Sequence, residues 1–312
     1  MPKTSIVIVA YNNREDLERC LESLPERKEI IVVDNASNDG TAEMVREYYP
    51  YVTLITNEEN LGYGTACNQG LDIASGEYAL ILNADIRAEE NAVDVLTDFI
   101  YENPKATLCG GMLLHPDGSI QESAANNLTL WAVFCEQLFL EKLFPRSPLF
   151  SPYWISKRYL ERHKNQPPPL RVAQVMGACM MLRRVHDRFP RFDERYFLYC
   201  EDTDLCFRIN KSGGEIYYVP AARFQHALGK SSEHRRWLAV RYYNRGKELF
   251  FRIHYGRFAS TICFLLNRLG SLLRLIAWGI PCLLTLGLHP KFRSKFILWA
   301  LVLFAKINPY PR

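Results

Sequence analysis

The 312-residue chain has no C-x-x-C pair, and its nine cysteines are an odd number without the His/Cys spacing of a structural zinc site. That excludes a disulfide framework and a zinc module, and a reduced, cytosolic compartment fits best. There is no G-x-x-x-x-G-K-[ST] loop. Gly62-Tyr63-Gly64 opens like a dinucleotide fingerprint, but Cys67 stands at the third glycine position and the segment is not in the first βα turn. Both nucleotide-binding classes therefore lose support. No apolar run reaches the roughly 20 residues that cross a bilayer. The first run, 5–10, is too short for a signal peptide and reads as a strand. Repeats and low-complexity tracts are absent. Acids are missing from one region: residues 249–312 carry nine Lys/Arg and no Asp or Glu, leaving 29 basic against 34 acidic side chains before it. The net charge of +4 thus belongs to the tail, and no nucleic-acid partner is expected.

What is present, at 48% hydrophobic content, is enough to bury a full core. Short β-branched runs at 5–10, 30–33, 52–55 and 78–82 alternate with helical patterns at 14–24, 41–48, 62–74 and 89–102. This βαβ series predicts an α/β fold with a mostly parallel sheet between helices. Ligands of such sheets bind beyond the carboxyl ends of the strands. There the chain places Tyr11-Asn12-Asn13, Asp34-Asn35 and Asn83-Ala84-Asp85, one polar group per strand.

Beyond 105 the spacing predicts a strand at 107–114, a helical aromatic segment at 131–144, a proline-rich insertion at 145–170 and a strand at 172–182. A helix from 201 to 211 follows, stopped by Ser212-Gly213-Gly214. The expected organisation is a domain over 1–250, divided near 105 into a nucleotide-binding half and an acceptor half, and a helical tail over 251–312. Apolar runs at 258–266, 275–288 and 296–305 alternate with Arg268, Arg274, Lys291, Arg293 and Lys295. This predicts a segment lying in, or re-entering, an anionic membrane surface. A buried helical subdomain is the alternative.

Candidate chemistry concentrates in four places. Glu201, Asp202 and Asp204 interrupt an apolar aromatic run, where a carboxylate gains affinity for protons and suits a general base, although acids at a helix start also complement its dipole. Asp202 falls on one face with Leu205 and Ile209, and Asp204 pairs i, i+4 with Arg208. Asp85 could bridge a divalent cation to a diphosphate, which needs only one or two protein carboxylates. Asp34 can accept from an imide N–H of uracil or thymine, or equally cap its turn. His226 can complete a metal shell, and Lys230 with Ser231 could hold phosphate oxygens.

Together the segments S-I-V-I-V-A-Y-N-N (5–13), V-V-D-N-A-S-N-D-G-T (32–41), N-L-G-Y-G-T-A-C-N-Q-G (60–70), L-I-L-N-A-D (80–85), G-A-C-M-M-L-R-R (177–184), F-D-E-R-Y-F-L-Y-C-E-D-T-D-L-C-F-R (192–208) and the His226 segment resemble, in order, family-2 inverting glycosyltransferases of the GT-A fold, in particular the rhamnosyltransferase-like branch. The resemblance implies a GT-A nucleotide-diphospho-sugar transferase fold. It implies a nucleoside pocket formed by Ala10, Tyr11, Asn12, Asp34, Asn60, Gly64 and Asn68. Asn83, Ala84 and Asp85 would meet the donor diphosphate, with Mg²⁺ or Mn²⁺ on Asp85 and His226. Gly177 and Ala178 would allow close approach of the sugars, and Asp202 would be the base. The implied partners are a nucleotide-sugar donor, a dTDP- or UDP-sugar with dTDP-rhamnose as the leading expectation, and a saccharide acceptor carried on a polyprenyl diphosphate. The implied place is the cytoplasmic face of the cell membrane, in cell-surface polysaccharide synthesis. Asn83 departs from the Asp-x-Asp of many relatives, and a weaker metal site is the expectation. A sugar-phosphate nucleotidyltransferase would want a basic Gly-rich loop after the first strand, which 10–13 does not supply. A catalytically silent membrane scaffold would not need the intact acids.

Overall fold

The computed structural model describes residues 3–163, 166–227 and 236–304. Its first half follows the βαβ pattern: β1 (Thr4–Ala10), α1 (Arg14–Glu22), β2 (Glu29–Asp34), α2 (Thr41–Tyr48), β3 (Thr53–Thr56), α3 (Tyr63–Ile73), β4 (Tyr78–Asn83), β5 (Ile86–Ala88) and α4 (Ala92–Glu102). The period of two in β1 sends Ile6 and Ile8 into one layer with Leu17, Leu21, Met44 and Leu96 of α1, α2 and α4. Val7 and Val9 go into the opposite layer with Ala66 and Leu71 of α3. Alternation that is apolar on both faces is what a sheet buried between two helix layers requires.

The second half adds β6 (Ala106–Leu114), β7 (Ala124–Ala125), α5 (Leu130–Gln137), α6 (Leu140–Leu143), α7 (Ser156–Arg162), β8 (Leu170–Arg171), β9 (Gln174–Val175), β10 (Cys179–Arg183), α8 (Glu201–Lys211) and β11 (Glu215–His226). The main sheet runs β3-β2-β1-β4-β10-β6-β11-β5, with β8 beside β11, and β7 pairs with β9 separately. Strands β3, β2, β1 and β4 are parallel, whereas β10 is antiparallel to both its neighbours. The continuous strand expected at 172–182 is interrupted between β9 and β10 at 176–178. There the backbone turns to bring the Gly177 N–H to Asp202. The twelve-residue β11 has no counterpart among the sequence expectations.

The C-terminal part is α9 (Arg236–Leu284) and α10 (Pro290–Phe304). Gly256, at φ 87° and ψ 178°, breaks α9 into two helices. The expected boundary at 250 requires correction. Residue 250 lies inside the first of these helices, and Phe250 and Phe251 share a core with Leu128, Val133, Tyr196 and Cys200. The basic tail is likewise not wholly unpaired. Buried Arg274 donates to the carbonyls of Glu136 (3.0 Å) and Gln137 (3.1 Å), capping the C-terminus of α5. Arg268 donates to Leu303 O. With those arginines folded back, the first two of the runs expected to be separate join in α9, while the third lies in α10. Helix α9 is long and apolar enough to cross a membrane by length and composition, and about a third of its apolar window is buried in the protein.

Candidate active site

The parallel strands end at one edge. At the end of β2, Asp34 is 3% exposed, and its Oδ2 accepts weakly from Ser37 N–H (3.3 Å). Its Oδ1 is buried with no hydrogen-bond partner among the described residues. An unsatisfied buried acceptor is costly, so this oxygen is suited to a ligand donor. Asn35 beside it donates to Asn60 Oδ1 (2.9 Å) and accepts from Asn57 Nδ2 (3.1 Å) and Leu61 N–H (3.0 Å), which ties the 57–62 loop to the strand end. Ala10 is held there too, its carbonyl accepting from Asn35 N–H at 2.8 Å. Asn12, at φ 51°, accepts from Asn38 N–H (2.8 Å) and donates through its own N–H to Ser37 Oγ. Tyr11 is left projecting, 44% exposed. An exposed ring at the end of β1, one strand over from a buried acceptor at the end of β2, can take a flat base with an imide N–H.

Two residues of the implied nucleoside pocket do other work. Asn68 is buried and fully engaged, donating to Phe192 O and Glu194 Oε1 and accepting from Phe192 N–H, each at 3.0 Å. Gly64 lets α3 approach closely, since a Cβ there would lie 3.0 Å from Phe192 Cβ. Both position the 192–201 segment rather than line a base pocket, which corrects their assignment.

Asp85 follows β4. The antiparallel pairing of β5 with β11 sets His226 opposite Ile86 and so brings its Nε2 to 3.2 Å from Asp85 Oδ1. Gln121 Oε1 lies 3.1 Å from His226 Nδ1 and accepts from it when Nδ1 carries the proton, which leaves Nε2 as a lone-pair donor. A carboxylate and an imidazole facing each other fit a divalent cation. No group of three or more His, Cys, Asp or Glu placed to hold a metal ion occurs among the described residues, so the remaining ligands would have to come from diphosphate and water. Asn83 and buried Ala84 carry the chain to this pair. Lys230 and Ser231 lie outside the described residues.

The third group is joined to the second by two residues. Asn83 N–H donates to Ala178 O at 3.0 Å, and Gly177 N–H donates to Asp202 Oδ2 at 2.8 Å. Gly177 is small by necessity, because a Cβ would lie 3.1 Å from Asp202 Cβ. The Tyr63 hydroxyl donates to Gly177 O at 3.0 Å and steadies the turn. Asp202 Oδ1 accepts from Thr203 N–H at 2.7 Å. Burial raises the Asp202 pKa above the ordinary carboxylate value, and these hydrogen bonds oppose the rise. Its neighbour Glu201 is 5% exposed and has no partner for Oε2 among the described residues. Burial, helped by the charge of Asp202, pushes its pKa to about 8. At neutral pH Glu201 is thus held largely protonated, beside an Asp202 whose own proton affinity burial also raises. Asp204 is fully buried between Arg208 Nε and His254 Nε2, both at 2.7 Å, so its role is to dock α8 on α9.

Sequence spacing missed Gln121, Tyr63 and His254. Tyr63 sat inside a segment already singled out. Gln121 and His254 carry no local signal, since each meets its partner only through the tertiary pairing of distant elements.

The sequence profile of glycosyl transferase family 2 matches residues 5–189, and that of glycosyl transferase family group 2 matches 167–310. The chain belongs to glycosyl transferase family 2. The glycosyltransferase is 32% identical over 243 residues to the N-acetylglucosaminyl-diphospho-decaprenol L-rhamnosyltransferase of Mycobacterium tuberculosis, covering 73% of this chain and 76% of that protein. It is 25% identical over 240 residues to the rhamnosyltransferase WbbL of Escherichia coli K12, covering 71% and 82%. Among solved structures, the mannosyltransferase PcManGT of Pyrobaculum calidifontis, in complex with GDP-Man and Mn²⁺, superposes with a TM-score of 0.53 at 17% identity, over 96% of this chain and 85% of that one. That likeness speaks for the shared GT-A fold.

Proposed function

We propose that this glycosyltransferase transfers rhamnose from dTDP-rhamnose, with inversion, to a saccharide on a polyprenyl diphosphate, and that it works at a membrane. The observation that carries the reading is the two-residue link Gly177-Ala178. Through it one short segment ties the base candidate Asp202 to the end of β4 from which Asp85 projects. The two rhamnosyltransferase relatives supply the sugar, and the mycobacterial one supplies the acceptor class.

Asp34 Oδ1 accepts from N3–H of the thymine, and Tyr11 stacks on the ring. Asp85 and His226 would hold Mg²⁺ or Mn²⁺, which when bound neutralises diphosphate charge and makes it a better leaving group. Asp202 accepts the proton of the acceptor hydroxyl as its oxygen bonds to the anomeric carbon. The bond from that carbon to the diphosphate oxygen breaks on the opposite face, and dTDP departs with the electron pair. No covalent enzyme intermediate is needed. Burial makes Asp202 more basic than an ordinary carboxylate, and the N–H groups of Gly177 and Thr203, one on each oxygen, fix the orientation in which it takes the proton.

Replacing Asp202 by Asn is expected to lower turnover by about 10²–10⁴-fold, the usual contribution of a positioned base, while calorimetry still records donor binding. Retained turnover removes Asp202 from this role. Asp85→Ala should weaken dTDP binding in the presence of Mn²⁺ and leave metal-free binding nearly unchanged. Equal affinities of variant and native protein with the metal would count against the metal assignment.

A further inference from the structure

Behind the catalytic segment lies a cavity of about 150 Å³ between the two halves of α9 and α10. That is about ten times the volume that admits one water. Its walls include Arg241, Asn244, Arg245, Glu248, Arg268 and Ser271. Residues 241, 244, 245 and 248 share one face of the first α9 helix by their i, i+3, i+4, i+7 spacing. Three guanidiniums meet one carboxylate among the described residues of this wall. Glu248 already accepts from Asn267 Nδ2 at 2.9 Å. Arg241 and Arg268 each donate one N–H to the carbonyls of Val302 and Leu303, and a guanidinium has five donors. Among the described residues cations outnumber acids in this cluster, and burial, with the like charges of Arg268 and Arg245, holds Arg241 below the ordinary guanidinium value.

The surroundings of the cavity narrow the ligand. Phe264 forms part of the wall and is exposed, and Leu265, Leu269, Leu272 and Ile276 continue an exposed apolar stripe along the same helix. A cationic pocket opening beside an apolar face matches a molecule with an anionic head and a hydrocarbon chain. Forked guanidiniums select phosphate oxygens in particular.

We propose that the Arg241–Arg245–Arg268 cavity binds the phosphate or diphosphate group of a membrane amphiphile. This deepens the reading above by giving the lipid part of the acceptor, or the lipid of the surrounding bilayer, a site of its own. Residues on other faces of the same helix press on the catalytic segment: Tyr242 packs on Phe197 with ring centroids 5.1 Å apart, and Gly246 closes on Tyr199 O.

The test compares full-length native protein with Arg245→Gln, Arg268→Gln and Arg245→Lys. Flotation is measured on vesicles of phosphatidylcholine alone, with phosphatidylglycerol, or with undecaprenyl diphosphate. Native protein should bind the two anionic vesicles more tightly than the neutral ones. That increment should fall about tenfold in either Gln variant, the scale of a lost charged hydrogen bond, and less in the Lys variant. Preference for undecaprenyl diphosphate at equal surface charge identifies the acceptor's lipid, and equal binding identifies bulk headgroups; both support the site. Gln variants that bind all vesicles like the native protein overturn it. So does calorimetric binding of inorganic pyrophosphate with no increment on anionic vesicles. Binding of dTDP-rhamnose, measured in the same variants, tests the glycosyltransferase reading separately, since the cavity has no part in it.

Discussion

Glu201 is an acid whose buried environment favours its neutral form, and the sign of the resulting pH effect follows from linkage. Between the ordinary carboxyl value near 4.5 and about 8, the folded protein keeps a proton that the unfolded chain releases. The native state then binds more protons, so stability falls as pH rises through that window and levels off above it. Glu201→Gln should remove this slope, raising the melting temperature at pH 8 relative to native protein and leaving it nearly unchanged below pH 4.5. Thermal melts across that range are the check, and parallel curves would mean that Glu201 is ionised in the fold. Gly177→Ala acts on the neighbouring acid. With Asp202 Oδ2 only 3.3 Å from the new methyl, the carboxylate must shift by a few tenths of an ångström. Turnover should drop roughly ten- to hundredfold, since small misplacements cost that much, with the melting temperature little changed. Asp34, Asp85 and Asp202 stood out in the sequence because each lies at a strand end or a helix start, and His226 because of its place after the acidic motif, since its strand was not foreseen. Asn68 and Gly64 sit in equally suggestive segments, and only packing against Phe192 reveals that they build rather than bind.

At the scale of elements, the alternating first half was legible because period-two and period-3.6 patterns are local. The break between β9 and β10 was not, since 172–182 is apolar apart from Gln174 and its interruption coincides with the Gly177 contact to Asp202. Strand β11 was missed because its ladder partners, β6, β5 and β8, lie far away in sequence. Helix α9 deserves its own experiment. Tyr199 and Cys200 both sit at φ 69°, a conformation that costs non-glycine residues of order 1–3 kcal/mol each and needs support from outside the segment. The first half of α9 supplies that support, at Gly246 against Tyr199 O and at Cys200 Sγ beneath Tyr243 O. A Gly246→Val variant, whose Cβ would meet Tyr199 O at 2.6 Å, should lose turnover and lower the melting temperature by several degrees. Unchanged kinetics would show that the segment holds its shape unaided.

For the molecule as a whole, the distribution of apolar surface is the notable property. Leu265, Leu269, Leu272, Ile276, Ile280 and Leu283 form an exposed stripe on α9, and Ile297, Leu301 and Phe304 are exposed on α10. Contiguous exposed apolar surface of this kind marks contact with membrane or protein. Replacing Leu272 and Ile276 by Glu should cut binding to vesicles severalfold without altering donor affinity in detergent. Equal vesicle binding would assign the stripe to a protein contact. The charge census foresaw a special tail, but it took the packed structure to show that Arg268 and Arg274 are internal braces.

The strand order also carries a consequence for how the molecule comes into being. Leu82 pairs with Cys179, and Ile86 with His226, so the sheet edge that carries the site is closed by strands made roughly a hundred or more residues later. Loop closure over such distances is slow compared with the local assembly of β1, α1 and β2. The βαβ half is therefore expected to acquire amide protection early in refolding, while β10 and β11 join late. A chain still emerging from the ribosome would own the Asp34 pocket before it owned Asp202 or the Asp85–His226 pair, and the proposed competence for transfer would arrive only in the last act of folding.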